Sequence, residues 1–456
     1  MSADSKYRLY PARAPHLLRR FSERFTEVQV SKENEPAKVA CEAGISPLNK
    51  GIGSLDHALD PNQAAQLGWN LLREDLSLPA AVLYEDRLLH NLDWMRQFIN
   101  AYGVKLAPHG KTTMAPRLFA MQLQSGAWGI TLATAPQTLA AYAHGVRRVL
   151  MANELVGKEN MAIISRLLRD PGFDFYCLVD SVAQIDKLGA YYSKLGQKLY
   201  VLLELGVMGG RAGVRDDAQL QSVLAALSRW RDVVVLSGVE LYEGVLDDEA
   251  GIRAFLQRAV DVTRTLSAEG HFQRTPILLS GAGSAWYDVV AEVFSAAGFG
   301  AAVEIVLRPG CYLTHDVGAY REAQAKILER NPIARRMKSG LLPALQIWAY
   351  VQSVPEADKA IIGMGKRDAA FDSGLPVPAL HFRPGDTAPK AAPSHWALTK
   401  MMDQHAYMRM AAEDDLQVGD MIGFDICHPC LTFDKWRVLP VLNPQYDVVG
   451  IVKTFF

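Results

Sequence analysis

Residues 106–113 read LAPHGKTT, a lysine placed where an apolar, strand-like stretch gives way to a loop. Strand ends are where α/β barrels place their chemistry. In an apolar setting the charged form of a lysine is disfavoured, so the amine of Lys111 could attack a carbonyl and form a Schiff base. The plain alternative is a solvated loop lysine. A second stretch, LLSGAGSAWYD at 278–288, sets Gly281, Ala282 and Gly283 between a strand pattern and a helix pattern. Bare backbone N–H groups there, helped by Ser280 and Ser284, make a phosphate cradle; an ordinary glycine turn would read the same way. A third, CHPCLTFDKWR at 427–437, spaces His428 and Cys430 two apart. On an extended strand the two side chains share a face and could hold one metal ion, with Cys427 on the other face. A buried strand that contains thiols is the competing reading. Glu204 and Arg211, in LLELGVMGGRAGVR, and Tyr242 and Glu243, in VELYEGV, follow two further strand patterns. Structural salt bridges would account for them, but all fall at one predicted end of the same architecture.

That architecture follows from the alternation of patterns. LPAAVLYED has the apolar density of a buried strand and RLLHNLDWMRQFINAYG the three- and four-residue spacing of a helix ending on a glycine. Strand and helix then alternate through VKLAPHG, GITLA, RVLMA, FDFYCLVD, KLYVLLELG, VVLSGVELY, TPILLSG and AAVEIVLRPG. Eight such pairs predict a closed parallel (β/α)8 barrel of the TIM type, and no Gly-x-Gly-x-x-Gly turn supports an open doubly wound sheet. Beyond about residue 335, segments rich in β-branched and aromatic residues, bounded by Gly and Pro, predict a β-rich second domain. The expected division is an N-terminal extension over 1–60, a barrel over 93–330, and a discontinuous β-domain of 70–92 plus 331–456.

Hydrophobic residues make up 49% and charged residues 21% of the 456, the balance of a globular chain. A net charge of -1 without a basic block argues against nucleic acid as a partner. Cys41, Cys177, Cys311, Cys427 and Cys430 are too irregularly spaced for a disulfide framework. No apolar run reads as a signal peptide or a membrane span, so a cytoplasmic protein with no membrane partner is expected.

Taken in order, PHGKT, ELGVMGGRAGVR, LYEG, LSGAGS, LRPGCY and HPC resemble the fold-type III pyridoxal-phosphate enzymes, in the D-threonine aldolase and D-serine dehydratase branch of the alanine-racemase-like group. GMGKRDAAFDSGLPVP, DQHAYMR and HPCLTFDKWR look most like the bacterial D-serine deaminase-like proteins. The resemblance covers about residues 70–456. It implies that Lys111 binds pyridoxal 5'-phosphate, with His109 beside it, and that Ser280, Gly281, Ala282, Gly283 and Ser284 hold the phosphate. Ala282 stands where related enzymes often have glycine, a small departure for backbone donation. The resemblance also implies Tyr242 near the pyridine ring, Arg211 near its polar substituents, His405 near the substrate, and His428 and Cys430 on a divalent metal, expected to be Zn2+. The activity implied is dehydration and deamination of a β-hydroxy D-amino acid such as D-serine to a 2-keto acid and ammonia, by a homodimer. Aldol cleavage of the Cα–Cβ bond is the alternative, followed by amino-acid racemisation and non-catalytic cofactor binding. The lysine is followed by TTMAP, unlike the eukaryotic D-serine dehydratases and the aldolases, so the motif does not fix the substrate.

Overall fold

The computed structural model describes residues 44–456, which form two compact units. One comprises the described residues through Asn91 with Leu313–Arg321 and Leu342–Thr454; the other comprises Leu92–Tyr312, Glu322–Leu341 and Phe455–Phe456. Strand β1 (Ala80–Tyr84) belongs to the first.

The second unit is the barrel. Its strands are β2 (Lys105–Leu106), β3 (Ile130–Leu132), β4 (Arg148–Glu154), β5 (Asp174–Val179), β6 (Leu199–Leu205), β7 (Val234–Leu241), β8 (Ile277–Gly281) and β9 (Val303–Leu307). Helices α1 (Glu85–Tyr102), α2 (Pro116–Gln124), α3 (Ala135–Ala143), α4 (Lys158–Leu167), α5 (Val182–Ser193), α6 (Asp217–Arg229), α7 (Glu249–Ala268) and α8 (Tyr287–Ala296) alternate with strands along the chain. The parallel strands are ordered β2-β9-β8-β7-β6-β5-β4-β3. Strands covered on both faces read as continuous apolar runs, which is why the sequence pattern found them. Side-chain caps start several helices: the Asp216 carboxylate accepts from Gln219 N and that of Asp248 from Gly251 N.

The ring closes beyond the last residue of β2. Trp128 N donates to Leu106 O at 2.7 Å, Thr131 N to Pro108 O at 2.9 Å, and His109 forms a parallel bridge with Thr131. Inside, Ala107, Leu150, Tyr176, Leu178, Leu202, Leu278 and Val306 pack as one buried cluster. No helix among the described residues is long and apolar enough to cross a membrane.

Helices α9 (Ala319–Arg330) and α10 (Pro332–Arg336) precede the second run of strands: β10 (Leu345–Glu356), β11 (Lys359–Ile362), β12 (Val377–Phe382), β13 (Lys390–Ala391), β14 (Ala397–Met401), β15 (Ala406–Arg409), β16 (Met421–Asp425), β17 (Val438–Leu442) and β18 (Val448–Lys453), with α11 (Pro429–Phe433) before β17. The main sheet runs β13-β12-β16-β10-β1-β17-β18, and β1 pairs antiparallel with β10 and parallel with β17. Ile45 and Ile52, in the stretch read as an extension, are buried in the same core as Val82, Trp348 and Ile451. The rest of that expected extension, residues 1–43, lies outside the described residues. A buried polar chain crosses the sheet: Trp348 Nε1 donates to the Tyr84 hydroxyl, which donates to Gln346 Oε1, whose amide donates to Asp425 Oδ1. Each buried polar group in it thereby finds a partner.

The first unit also includes the Leu313–Arg321 segment, where His315 is 4% exposed and sits at φ 48. Burial, then the charge of Arg321, lowers its pKa from 6.5 to about 4. The unfolded chain therefore binds a proton in this window that the folded chain refuses, and His315 removes stability as pH falls from 6.5 towards 4. The neighbouring Asp316, raised by burial to about 6, acts with the opposite sign: its folded form favours the proton, so its contribution is lost as pH rises through 6. The two compensate. His315→Asn keeps a residue that tolerates a left-handed backbone and removes only the histidine's share. Denaturant unfolding at pH 7 and pH 5 should show the variant gaining about 2 kcal/mol on the wild type between the two, from roughly 1.4 kcal/mol per pH unit. An unchanged difference would mean that the buried imidazole is not held neutral.

Candidate active site

The side chains singled out in the barrel unit converge at the C-terminal ends of its strands. Lys111 lies on a 3-10 turn, Gly110–Thr112, just past β2. Its side chain is exposed, so the apolar setting expected from VKLAP does not hold. The strand is two residues long, and the chain leaves the barrel wall before it reaches the lysine. What the fold supplies instead is an accessible amine beside other cations. His109, one of the residues that closes the ring, is half-buried, and its pKa is held well below 6.5 by desolvation and then by the charges of Arg308, Lys111 and Arg211. A neutral imidazole follows. Its Nε2 lies 3.5 Å from Arg308 Nη1 and can accept from it, which puts the imidazole proton on Nδ1. That Nδ1 is buried and meets no acceptor among the described residues, and neither does Arg308 Nε.

Arg308 and Glu240 were not legible as site residues. Arg308 ends the apolar run AAVEIVL, and Glu240 interrupts VVLSGVELY; a charge inside a buried strand was the available signal. The Arg308 guanidinium pairs with Glu240 Oε1 and donates to Leu241 O at 2.9 Å. Glu240 stands opposite Glu204 in the β6–β7 register. Burial, and then the neighbouring Glu240 and Glu154 carboxyls, push the pKa of Glu204 up, and burial also raises Glu240. Such acids hold protons at pH values where free carboxyls are ionised. Arg211 is exposed in the loop after β6, with its Cζ 5.0 Å from the Tyr242 ring centre.

The glycine-rich turn after β8 is built for close approach. A Cβ on Gly283 would come within 3.0 Å of the Tyr242 ring, and one on Gly310 within 2.6 Å of His109 Cβ. Ala282 adopts φ 80, a left-handed conformation that costs an L residue about 1 kcal/mol or more, so its departure from glycine is not small. The N–H groups of Ala282 and Gly283 do point at one anion, but it is the protein's own: they donate to Glu243 Oε2 and Oε1 at 3.0 and 2.7 Å. Burial raises the pKa of Glu243 in spite of these bonds. The Ser280 hydroxyl donates to Val306 O at 3.0 Å and is committed to the sheet. Ser284 Oγ accepts from Cys311 N at 3.1 Å, which leaves its proton to donate elsewhere. Of the expected cradle, then, Ser284 keeps a side-chain donor, and an arriving phosphate would compete with Glu243 for the two N–H groups.

The remaining candidates lie in the first unit. HPC is not strand. His428 has an extended backbone, φ -149 and ψ 99, and Pro429 starts the short helix α11, so Cys430 sits in a first helical turn. Proline's fixed φ and missing N–H suit it to that position. The two side chains meet nevertheless: His428 hydrogen-bonds Cys430, and its Nδ1 lies 2.8 Å from Asp372 Oδ2. These partners raise the His428 pKa to about 9, with Cys430 the larger cause. Cys427 is turned away, its thiol donating to Leu375 O. His405 is exposed in the turn between β14 and β15 and is not part of the His428–Cys430 pair. No cluster of three or more His, Cys, Asp or Glu side chains that could hold a metal occurs among the described residues.

Unpartnered buried donors on His109 and Arg308, an accessible lysine and two arginines describe a barrel mouth that fits a ligand with anionic oxygens and a carbonyl, as pyridoxal phosphate has. By fold and site the chain is therefore an alanine-racemase-type barrel with a strand-end lysine and a separate β-unit. Residues 84–303 match the alanine racemase N-terminal domain family and residues 344–442 the serine dehydratase domain family. The chain is 26% identical over 365 residues to the D-threonine aldolase of an Arthrobacter species, covering 78% of this chain and 85% of that one. It is 34% identical over 142 residues to the D-threo-3-hydroxyaspartate dehydratase of Delftia sp. HT23, covering 31% and 37%. The structure of D-threonine aldolase from Filomicrobium marinum superposes with a TM-score of 0.69 at 23% identity, over 85% of this chain and 97% of that one. A Cys-to-Ala variant of D-threo-3-hydroxyaspartate dehydratase, in its metal-free form, does so with a TM-score of 0.65 at 23% identity, over 85% and 99%. The chain belongs to the fold-type III pyridoxal-phosphate enzymes that join an alanine racemase N-terminal domain to a serine dehydratase domain.

Proposed function

We propose that this protein dehydrates and deaminates a β-hydroxy D-amino acid, D-serine or a close analogue, to a 2-keto acid and ammonia. The observation that carries the reading is the hydrogen-bonded His428–Cys430 pair, which a racemase or a cofactor carrier of this fold has no use for. What pyridoxal phosphate supplies when bound is electron withdrawal from the substrate Cα, which acidifies its proton. Lys111, with an exposed amine at the strand end, takes that proton. Arg211 and Arg308 offer positive charge to anionic oxygens, and Glu240 together with Leu241 O keeps the Arg308 guanidinium in place. Neutral His109 presents an Nδ1–H donor to the same space.

His428 and Cys430 would hold a divalent metal, zinc by the match of one nitrogen and one sulfur donor, and the ion would supply Lewis acidity for a β-hydroxyl, a poor leaving group at neutral pH. Support comes from the relatives: one named a dehydratase of a β-hydroxy D-amino acid, and one of its variants a metal-free form with a cysteine replaced. Aldol cleavage is the second reading, favoured by the longer match to an aldolase. Incubating the purified protein with D-serine, D-threonine and 3-hydroxy-D-aspartate, with and without a chelator, separates them by product. Keto acid and ammonia released in a chelator-sensitive manner are expected. Glycine and an aldehyde would replace elimination with aldol cleavage, and activity on L-serine alone would overturn both.

A further inference from the structure

We propose that Asp372 is a positioning residue that fixes the tautomer and orientation of His428, so that its Nε2 is the nitrogen offered to a metal ion shared with Cys430. The proposal rests on the metal reading above and goes beyond it by assigning a role to a side chain that sequence spacing cannot connect to the site. Asp372 lies 56 positions before His428, yet its Oδ2 is 2.8 Å from Nδ1. The Ser373 hydroxyl donates to the same oxygen at 3.3 Å.

Two features separate this contact from an ordinary ion pair. The first is exposure: the side chains of Asp372 and His428 are 40% and 25% exposed, and a pair so open to solvent adds little to the fold. Stability is a weak reason for it. The second is direction. His428 has two partners, Asp372 on Nδ1 and Cys430, and a ring anchored through Nδ1 to a carboxylate has only Nε2 left to turn towards an ion shared with Cys430. The backbone favours the same aim. His428 is held extended before Pro429, and the Thr432 hydroxyl donates to His428 O at 3.0 Å, so the ring turns about a tethered residue.

Cobalt(II) titration of the metal-stripped full-length protein tests this without reference to turnover, because a cysteine thiolate bound to cobalt gives a charge-transfer band. Wild type should bind cobalt and show the band, and Cys430→Ala should lack it. Asp372→Ala should still show the band at saturation but bind cobalt about 10- to 100-fold more weakly, with the unfolding midpoint of the metal-free protein unchanged. Asp372→Asn retains an acceptor oxygen for Nδ1–H and should recover most of the affinity, a rescue that a merely structural role would not give. Cobalt affinity within twofold of wild type in Asp372→Ala would overturn the role of Asp372 while leaving the metal reading intact. A wild-type protein that binds no cobalt would overturn the metal reading itself, and this proposal with it.

Discussion

Lys111→Ala is expected to yield a folded protein that lacks the visible absorption of a lysine-bound cofactor and has lost turnover by about 10³-fold or more, the scale of removing a general base. The fold should survive because the side chain is exposed and no ion pair holds its amine among the described residues. The chemistry should not survive, since in the proposed function the same amine both attaches the cofactor and takes the Cα proton. Absorbance after dialysis against free cofactor, with borohydride reduction and mass analysis of the wild type, measures both. Label found on a lysine other than Lys111, or a band kept by the variant, would dissociate the lysine from the cofactor. In wild type, His109 should add little pH dependence above neutrality, since its pKa is held well below 6.5 and it stays neutral there.

Cys430→Ala is the complementary case: the cofactor band stays and turnover collapses. The residue is partly exposed in the first turn of α11, so losing its thiol leaves no large cavity. His428 is left as a lone protein ligand. If Lewis acidity at the leaving hydroxyl is worth several kcal/mol, elimination should slow by roughly 10³-fold, and bound metal measured after gel filtration should fall to near zero. Exchange of the Cα proton with solvent deuterium should persist, because it needs the lysine and not the metal. Unimpaired elimination in this variant would remove the metal from the mechanism, whereas lost exchange would tie Cys430 to an earlier step than departure of hydroxide.

The barrel was readable because its strands are buried on both faces and so appear as unbroken apolar runs, as in KLYVLLELG, with helical spacing between them. The β-unit was readable at the level of composition, and β1 was assigned to it from its place before the alternation begins. Residue types at the site were legible, but backbone states were not. Pro429 turned an expected strand into a helical start, and a two-residue β2 left Lys111 in the open where a longer strand would have carried it along a wall. The occupation of the Ala282 and Gly283 amides by Glu243 could not be read either, since it depends on β7 and β8 ending side by side. Asp372 and His428 meet only through folding.

The seam of the barrel carries one more implication. Among the described residues no ion pair holds the Lys111 amine; its height in the ring is inherited from the pairing of β2 with β9 on one side and of Leu106 with Trp128 and Pro108 with Thr131 on the other. A slip of one residue in that pairing would carry the amine about 3.3 Å along the axis and turn neighbouring side chains to the opposite face. Fidelity of register where the wall is shortest thus decides where the Lys111 amine stands.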